Sequence, residues 1–175
     1  MAPADVMVRR AQRGDVAALG RLGATLLRVH HEFDAARFMA PGDDPEGGYA
    51  WFLGAQLTKR DVGVFVAERD TAIVGYVYAA VEPQSWKELR EEAGFIHDVL
   101  VEESARGAGV GRALLEAAIA WLQDRGVPRV VLWTASANAP AQRLFATLGF
   151  RPTMIEMTRE LSAMAAGSTA IPATS

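Results

Sequence analysis

The residues best placed by type and spacing to do chemistry lie in one run, Ile96 to Gly111, which reads IHDVLVEESARGAGVG. His97 and Asp98 stand side by side, and these are side chains that move protons or hold an amine near neutral pH. The apolar stretch Val99, Leu100 and Val101 follows, and a short polar turn leads into Arg106, Gly107, Ala108, Gly109, Val110 and Gly111. Glycines let the backbone approach a ligand with no Cβ in the way. An apolar periodicity starts at once, at Val110, Leu114, Leu115, Ala118, Ile119 and Leu122, so a helix begins at the turn. Its first turn leaves N–H groups without partners, and its dipole favours negative charge there. The run reads as an anion site suited to a phosphate group, with Arg106 adding positive charge at its mouth.

Two common phosphate loops are excluded. A Walker loop needs Lys-Ser/Thr after the glycines, and here Gly111 is followed by Arg112 and Ala113. A dinucleotide fingerprint belongs early in a βαβ unit, with other glycine spacing and an acidic residue about 20 residues on. The pattern present is Arg-x-x-Gly-x-Gly. It resembles the pyrophosphate motif of the GNAT superfamily, the acetyl-CoA-dependent N-acetyltransferases. Downstream, NAPAQRLFATLGF, from Asn138 to Phe150, is similar to the family's Asn-x-x-Ala-x-x-Leu-Tyr-x-x-x-Gly-Phe segment. The two motifs stand in the family's order, about one helix and one strand apart. The resemblance extends from a first strand near Val8 to a last near Met157.

The resemblance implies acetyl-CoA as co-substrate and an amine as acceptor. The amides of Arg106, Gly107, Ala108, Gly109, Val110 and Gly111 would hold the pyrophosphate. Backbone groups of Val99, Leu100 and Val101 would pair with the pantetheine arm. Asn138 would stand beside that arm while also capping its own helix, its oxygen used for one task and its NH₂ for the other. Acyl transfer to an amine needs a proton acceptor, an oxyanion donor and a proton for the departing thiolate. The family commonly supplies that last proton from the Tyr of its Leu-Tyr pair, but this chain has Leu144-Phe145. Tyr49, Tyr76 and Tyr78 are the candidate substitutes. Trp133 replaces the Glu carried by ribosomal-protein alanine acetyltransferases, which argues against that subgroup. His97 has the offset from Arg106 of one paired histidine of serotonin N-acetyltransferases, and Asp98 sits where many members hold an acid near the amine. Strand alternation lets only one of the two face the cleft. Glu82, Tyr78 and Phe33 are the candidate substrate contacts. The region after the first helix is acidic and aromatic, as a cationic amine with an apolar body would want. His30 and His31 do not share a helix face, so no metal site is expected.

These residues need a frame to position them. The patterning predicts the order β-α-α-β-β-β-α-β-α-β, with Phe150–Leu161 as a last strand or pair and a short helix over Trp86–Glu91. That is an α/β fold, a mixed and mostly antiparallel sheet with helices on both faces. The GNAT resemblance adds that strands 4 and 5 splay apart to admit acyl-CoA. The 175 residues suffice for one domain, expected over 1–162, with an Ala-, Ser- and Thr-rich, weakly ordered tail over 163–175. The net charge of −3 carries no basic block, so nucleic acid and anionic membranes are not expected partners. The chain contains no cysteine, which excludes a thiol nucleophile. No apolar run would span a bilayer and the N-terminus has no secretion-type segment, so a cytoplasmic protein is expected. The resemblance also admits a homodimer. Loss of the usual Tyr leaves a second reading open, an acyl-CoA-binding sensor or a catalytically weak relative.

Overall fold

A computed structural model describes residues 6–161; the expected tail over 163–175 and the first five residues lie outside them. The elements are β1 (Val6–Arg10), α1 (Val16–Phe33), α2 (Pro45–Gln56), β2 (Val62–Arg69), β3 (Ala72–Glu82), β4 (Ala93–Val101), α3 (Val110–Gln123), β5 (Val130–Leu132) and α4 (Ala139–Thr147). The sheet order is β1-β2-β3-β4-β5. The first three ladders are antiparallel and β4–β5 is parallel, joined by the α3 crossover.

β2 and β3 are covered on both faces, which is why VGVFVAER and IVGYVYAAV read as almost continuous apolar runs. Val62, Val64, Val66, Tyr76 and Tyr78 turn toward α1 and α2, where they meet Leu19, Leu22, Leu26 and Leu53. Phe65, Val77 and Ala79 turn the other way, onto Leu114, Leu115, Ala118 and Leu122 of α3. The period of two in the strands thus feeds two helical layers, each with its own apolar stripe.

α1 and α2 approach closely through glycine. A Cβ on Gly20 would stand 2.6 Å from the Glu46 carbonyl oxygen, and one on Gly23 would stand 2.0 Å from the Tyr49 ring. Gly23 is therefore the seat of Tyr49. Gly23→Ala is expected to destabilise the fold by about 1–3 kcal/mol through overpacking. The check is a urea unfolding curve, in which a midpoint equal to that of the wild type would show that Tyr49 can move freely.

Gly14-Asp15 reads in the sequence as a turn and N-cap ahead of α1, but the Asp15 side chain makes no cap bond to that helix. It accepts instead from Arg9 at 2.7 and 3.0 Å and from the Gln12 amide at 2.7 Å. The Arg9 bonds hold its carboxyl below the usual aspartate range despite its burial. A depressed carboxyl contributes stability above its unfolded pKa and loses it as pH falls through the folded one. Asp15→Ala should cost about 2 kcal/mol at pH 7, because Arg9 and the Gln12 N–H lose a shared acceptor. That difference should shrink in acid, as read from paired melts at pH 7 and pH 3.

Three expectations fail locally. Residues 150–161 join no ladder and 151–161 are exposed throughout, so the last strand is absent. Alternation says which face a strand would bury, but β5 offers only three residues to pair with, and Pro152 has no N–H to give. Trp86–Glu91 is a tight loop closed by a Ser85–Arg90 bridge rather than a helix. The sequence pattern places the second helix over Tyr49–Lys59, but α2 starts a turn earlier at Pro45, where Asp44 caps it.

Candidate active site

The β4–β5 ladder covers only Gly94–Ile96 against Val130–Leu132. From His97 onward β4 has no ladder neighbour on that side among the described residues, so the two strands part and open a notch. This is the expected splay. β4 changes register against β3 at the same place. Tyr78 pairs with Asp98 and Ala79 with Ile96, which leaves His97 as an extra, bulged residue.

The bulge overturns the expectation that only one of His97 and Asp98 can face the cleft. Strict alternation assumes an unbroken ladder, and the inserted residue shifts the parity. Asp98 accepts a hydrogen bond from the Tyr76 hydroxyl at 3.0 Å on the α1/α2 side of the sheet. His97 stacks on Tyr78 of that same side, with ring centroids 4.9 Å apart, and on Phe95 at 5.4 Å. Its Nε2 lies 3.0 Å from Glu82 Oε1. A carboxylate only accepts, so Nε2 carries the hydrogen, and Nδ1 keeps its lone pair in the neutral ring. Glu82 thus orients His97.

Asp98 is half-buried, and burial pushes its carboxyl above the ordinary aspartate range. The Tyr76 hydrogen bond and the positive charge available on His97 and His30 pull the other way. Tyr76 is fully buried, and burial with the Asp98 charge raises its phenol far above the usual value. Its hydroxyl keeps its proton and donates it in a hydrogen bond to Asp98, so it is not a free acid. Tyr49 feels the Asp98 charge from α2, and its phenol too is raised by burial. Tyr78 meets Phe52 edge-on at 5.8 Å. At the end of α1, His30 donates from Nδ1 to the Leu26 carbonyl at 2.9 Å. Its ring edge contacts Phe33 at 5.8 Å and Phe38 at 5.0 Å. Phe33 therefore supports His30. Two acids of the loop after α1 are engaged locally, since Asp34 holds the Ala36 and Arg37 amides and Asp44 holds Gly47. Asp98 and Glu82 carry the negative charge of the cluster.

The glycine turn lies at the far end of β4. Gly107 and Gly109 have φ of +76° and +80°, a region other residues rarely adopt. Gly107, Ala108 and Gly109 are exposed, and among the described residues their N–H groups meet no backbone acceptor. Val110, Gly111 and Arg112 form the first turn of α3, whose amides have no partner within the helix. Arg106 is different. Its amide donates to the Glu103 carbonyl at 3.1 Å, and its Nε donates to the Val101 carbonyl at 3.1 Å. It braces the turn rather than projecting over it. Gly111 is small for packing, since a Cβ there would stand 3.3 Å from Leu144 of α4. Asn138 Oδ1 caps α4 by accepting from the Ala141 amide at 3.3 Å, which leaves its NH₂ outside the cap. Phe145 is buried against Phe150, with centroids 6.1 Å apart. Trp133 is 70% exposed and meets Phe95 edge-on.

Sequence reasoning missed the Tyr76–Asp98 lock, His30 and the Gly23 seat of Tyr49. The spacing Tyr76-x-Tyr78 opposite His97-Asp98 was a usable signal for the first of these. The other two depend on how α1 crosses the sheet, and no local pattern reports that.

A family profile described as the acetyltransferase (GNAT) family matches residues 26–150. The chain belongs to that family. Among curated relatives, mycothiol acetyltransferase of Thermomonospora curvata is 36% identical over 114 residues, covering 62% of this chain and 36% of that protein. The mycothiol acetyltransferase of a Nocardioides species is 32% identical over 161 residues, covering 85% of this chain and 51% of its own. This chain thus spans between about a third and a half of the length of these two relatives. Among solved structures, the tetramutant of the Bacillus halodurans protein BH1408 superposes with a TM-score of 0.75 at 22% identity, covering 89% of this chain and 99% of that one. An aminoglycoside N-acetyltransferase in complex with CoA superposes with a TM-score of 0.70 at 18% identity, covering 90% and 95%. At such identities the likeness is one of fold.

Proposed function

We propose that this protein transfers the acetyl group of acetyl-CoA to a primary amine by direct attack within a ternary complex. One observation carries the reading. The open edge of β4 runs from the His97–Glu82 pair and Asp98 directly into a turn of exposed amides at the start of α3. The CoA in the aminoglycoside acetyltransferase neighbour and the acetyl transfer named in the mycothiol relatives support it.

In this reading the amides from Gly107 to Arg112 hold the pyrophosphate, aided by the α3 dipole. The backbone edge at Val99, Leu100 and Val101 pairs with the pantetheine amides, with the Val101 carbonyl already accepting from Arg106 Nε, and the Asn138 NH₂ lies beside that arm. Asp98 accepts the incoming ammonium, while Tyr78 and the aromatic wall of Phe52 and Phe33 flank its apolar body. The amine must lose a proton to become a nucleophile. His97 Nδ1 takes it, and Glu82 stabilises the imidazolium that results. The amine nitrogen then bonds to the acetyl carbon, the C–S bond breaks, and a free β4 amide holds the carbonyl oxygen during the exchange. Phe145 has no hydroxyl to offer, so the departing thiolate takes its proton from solvent. Acceptors that fit are small cationic or aromatic amines and protein amino groups.

The test is release of free CoA thiol from acetyl-CoA, measured with alkylamines, arylalkylamines, amino sugars and peptide N-termini in turn. The chain has no cysteine to add background. Turnover that depends on one class of amine is expected. Tight acetyl-CoA binding with no turnover on any class would favour an acyl-CoA-binding protein instead.

A further inference from the structure

The loop between β3 and β4 carries an arginine that the proposed chemistry leaves unused. Ser85 and Arg90 close this loop by exchanging backbone hydrogen bonds of 2.8 and 3.0 Å. Leu89, just before Arg90, has φ of +50°, a conformation leucine rarely adopts. Its side chain is 89% exposed, so burial of the leucine does not offset that strain. What the turn places is Arg90, whose side chain is only 12% exposed. Arg90 Nε donates to Glu88 Oε2 at 2.8 Å, and Nη1 donates to the Glu91 carbonyl at 2.8 Å and the Glu82 carbonyl at 3.5 Å. The guanidinium carbon lies 4.9 Å from the centroid of the Phe95 ring.

Phe95 and Glu82 are also the supports of His97. Phe95 stacks on the imidazole with 20° between the planes, and Glu82 accepts from its Nε2. His97 depends on such supports more than an ordinary strand residue does. It is the bulged residue of β4, so the β3 ladder does not fix its direction, and the β5 ladder ends before it. Among the described residues, the one hydrogen bond of its ring runs to Glu82. A guanidinium is attracted to an aromatic face, more strongly where water is excluded, and its planar fork loses little freedom per bond formed. We infer, on the reading of His97 as the proton acceptor, that Arg90 is a positioning residue for proton transfer there, holding the Phe95 ring and the Glu82 main chain that set the imidazole plane and its Nε2 bond. A brace for the loop alone would be served by Glu88 and the Glu91 carbonyl; the contact with Phe95 is what reaches the site.

The experiment compares Arg90→Met and Arg90→Lys with the wild type, in kcat and KM for the best amine of the panel, and repeats Arg90→Met in a His97→Gln background. Arg90→Met should lower kcat about tenfold, with KM for the amine within about twofold of the wild type. Arg90→Lys keeps a cation for the Phe95 ring and should recover most of the loss. In the His97→Gln background Arg90→Met should cost nothing further, because the group that Arg90 positions is gone. Arg90→Gln can still donate to the loop carbonyls but has no charge for the ring. It should behave as Arg90→Met, and stands in for it if thermal melts show that variant unfolded. Lys87→Met removes an exposed cation from the same loop and should leave kcat unchanged. Nitrogen NMR of the imidazole gives a readout besides turnover. The chain has three histidines, and the His97 signal is the one lost in His97→Gln. The neutral ring should carry its hydrogen on Nε2 in the wild type and as a mixture of both tautomers in Arg90→Met. Unchanged kcat in folded Arg90→Met, the same loss in the His97→Gln background, or an equal loss from Lys87→Met overturns the proposal. Full kcat in His97→Gln overturns the reading of His97 as the acceptor, whereas an unchanged tautomer in Arg90→Met overturns the role of Arg90 whatever the turnover.

Discussion

Gly109→Asp is expected to abolish acetyl-CoA binding while leaving the fold in place. Gly109 precedes the first helical residue of α3 with φ +80° and ψ 0°, its surface exposed and its N–H without a backbone acceptor among the described residues. An aspartate tolerates this left-handed conformation better than most residues, so the backbone penalty stays near 1 kcal/mol. The electrostatic effect is larger. The helix dipole and a row of amides attract an anion here, and the new carboxylate would occupy that field itself while repelling a pyrophosphate. A rise in Kd of about 100-fold or more is expected, equivalent to about 3 kcal/mol. Gly109→Ala is the control, with a backbone penalty at least as large and no charge, and should weaken binding much less. Calorimetric titration with CoA measures both, and thermal melts confirm folding. If the aspartate variant binds as the wild type does, the pyrophosphate site lies elsewhere and the proposed reaction loses its anchor.

How much of this was readable beforehand differs between the two ends of β4. The glycine turn was legible because its requirements are local. Positive φ, absent Cβ atoms and a helix start are written in adjacent residues. His97 and Asp98 were legible as candidate residue types but not as geometry. One inserted residue in the ladder decides whether two neighbours share a face, and no periodicity within β4 announces it. The element order of the first nine elements followed from hydrophobic patterning, since β2, β3, α1 and α3 each bury a clean stripe. The last segment did not. Thr153 to Leu161 alternates like a strand, yet a strand exists only where an edge receives it, and that edge is not part of the segment's own sequence. The acidic composition of the loop after α1 did not show that Asp34 and Asp44 each satisfy backbone amides next to them.

Asp98→Asn should move activity and stability in opposite directions. Burial raises the folded carboxyl above its unfolded value, so the folded state binds that proton more tightly than the unfolded chain does. The fold therefore loses stability as pH rises through the folded pKa. An asparagine removes that titration and still accepts the Tyr76 hydroxyl through its amide oxygen. D98N should melt above the wild type at pH 7 to 8, and the two curves should converge below the ordinary aspartate range. Its kcat/KM for the amine should nonetheless fall roughly 100-fold, mostly through KM, because the anchoring charge is gone. His97→Gln should act on the other parameter, lowering kcat by roughly 100-fold with little change in KM, since it removes a proton acceptor and not an anchor. A D98N variant that melts lower at neutral pH would make the carboxylate a structural partner of Tyr76. Equal and small kinetic effects from both substitutions would remove the bulge from the chemistry. A half-buried carboxyl whose burial costs folding free energy is hard to explain by packing alone, and the opposed signs are what separate function from structure at this position.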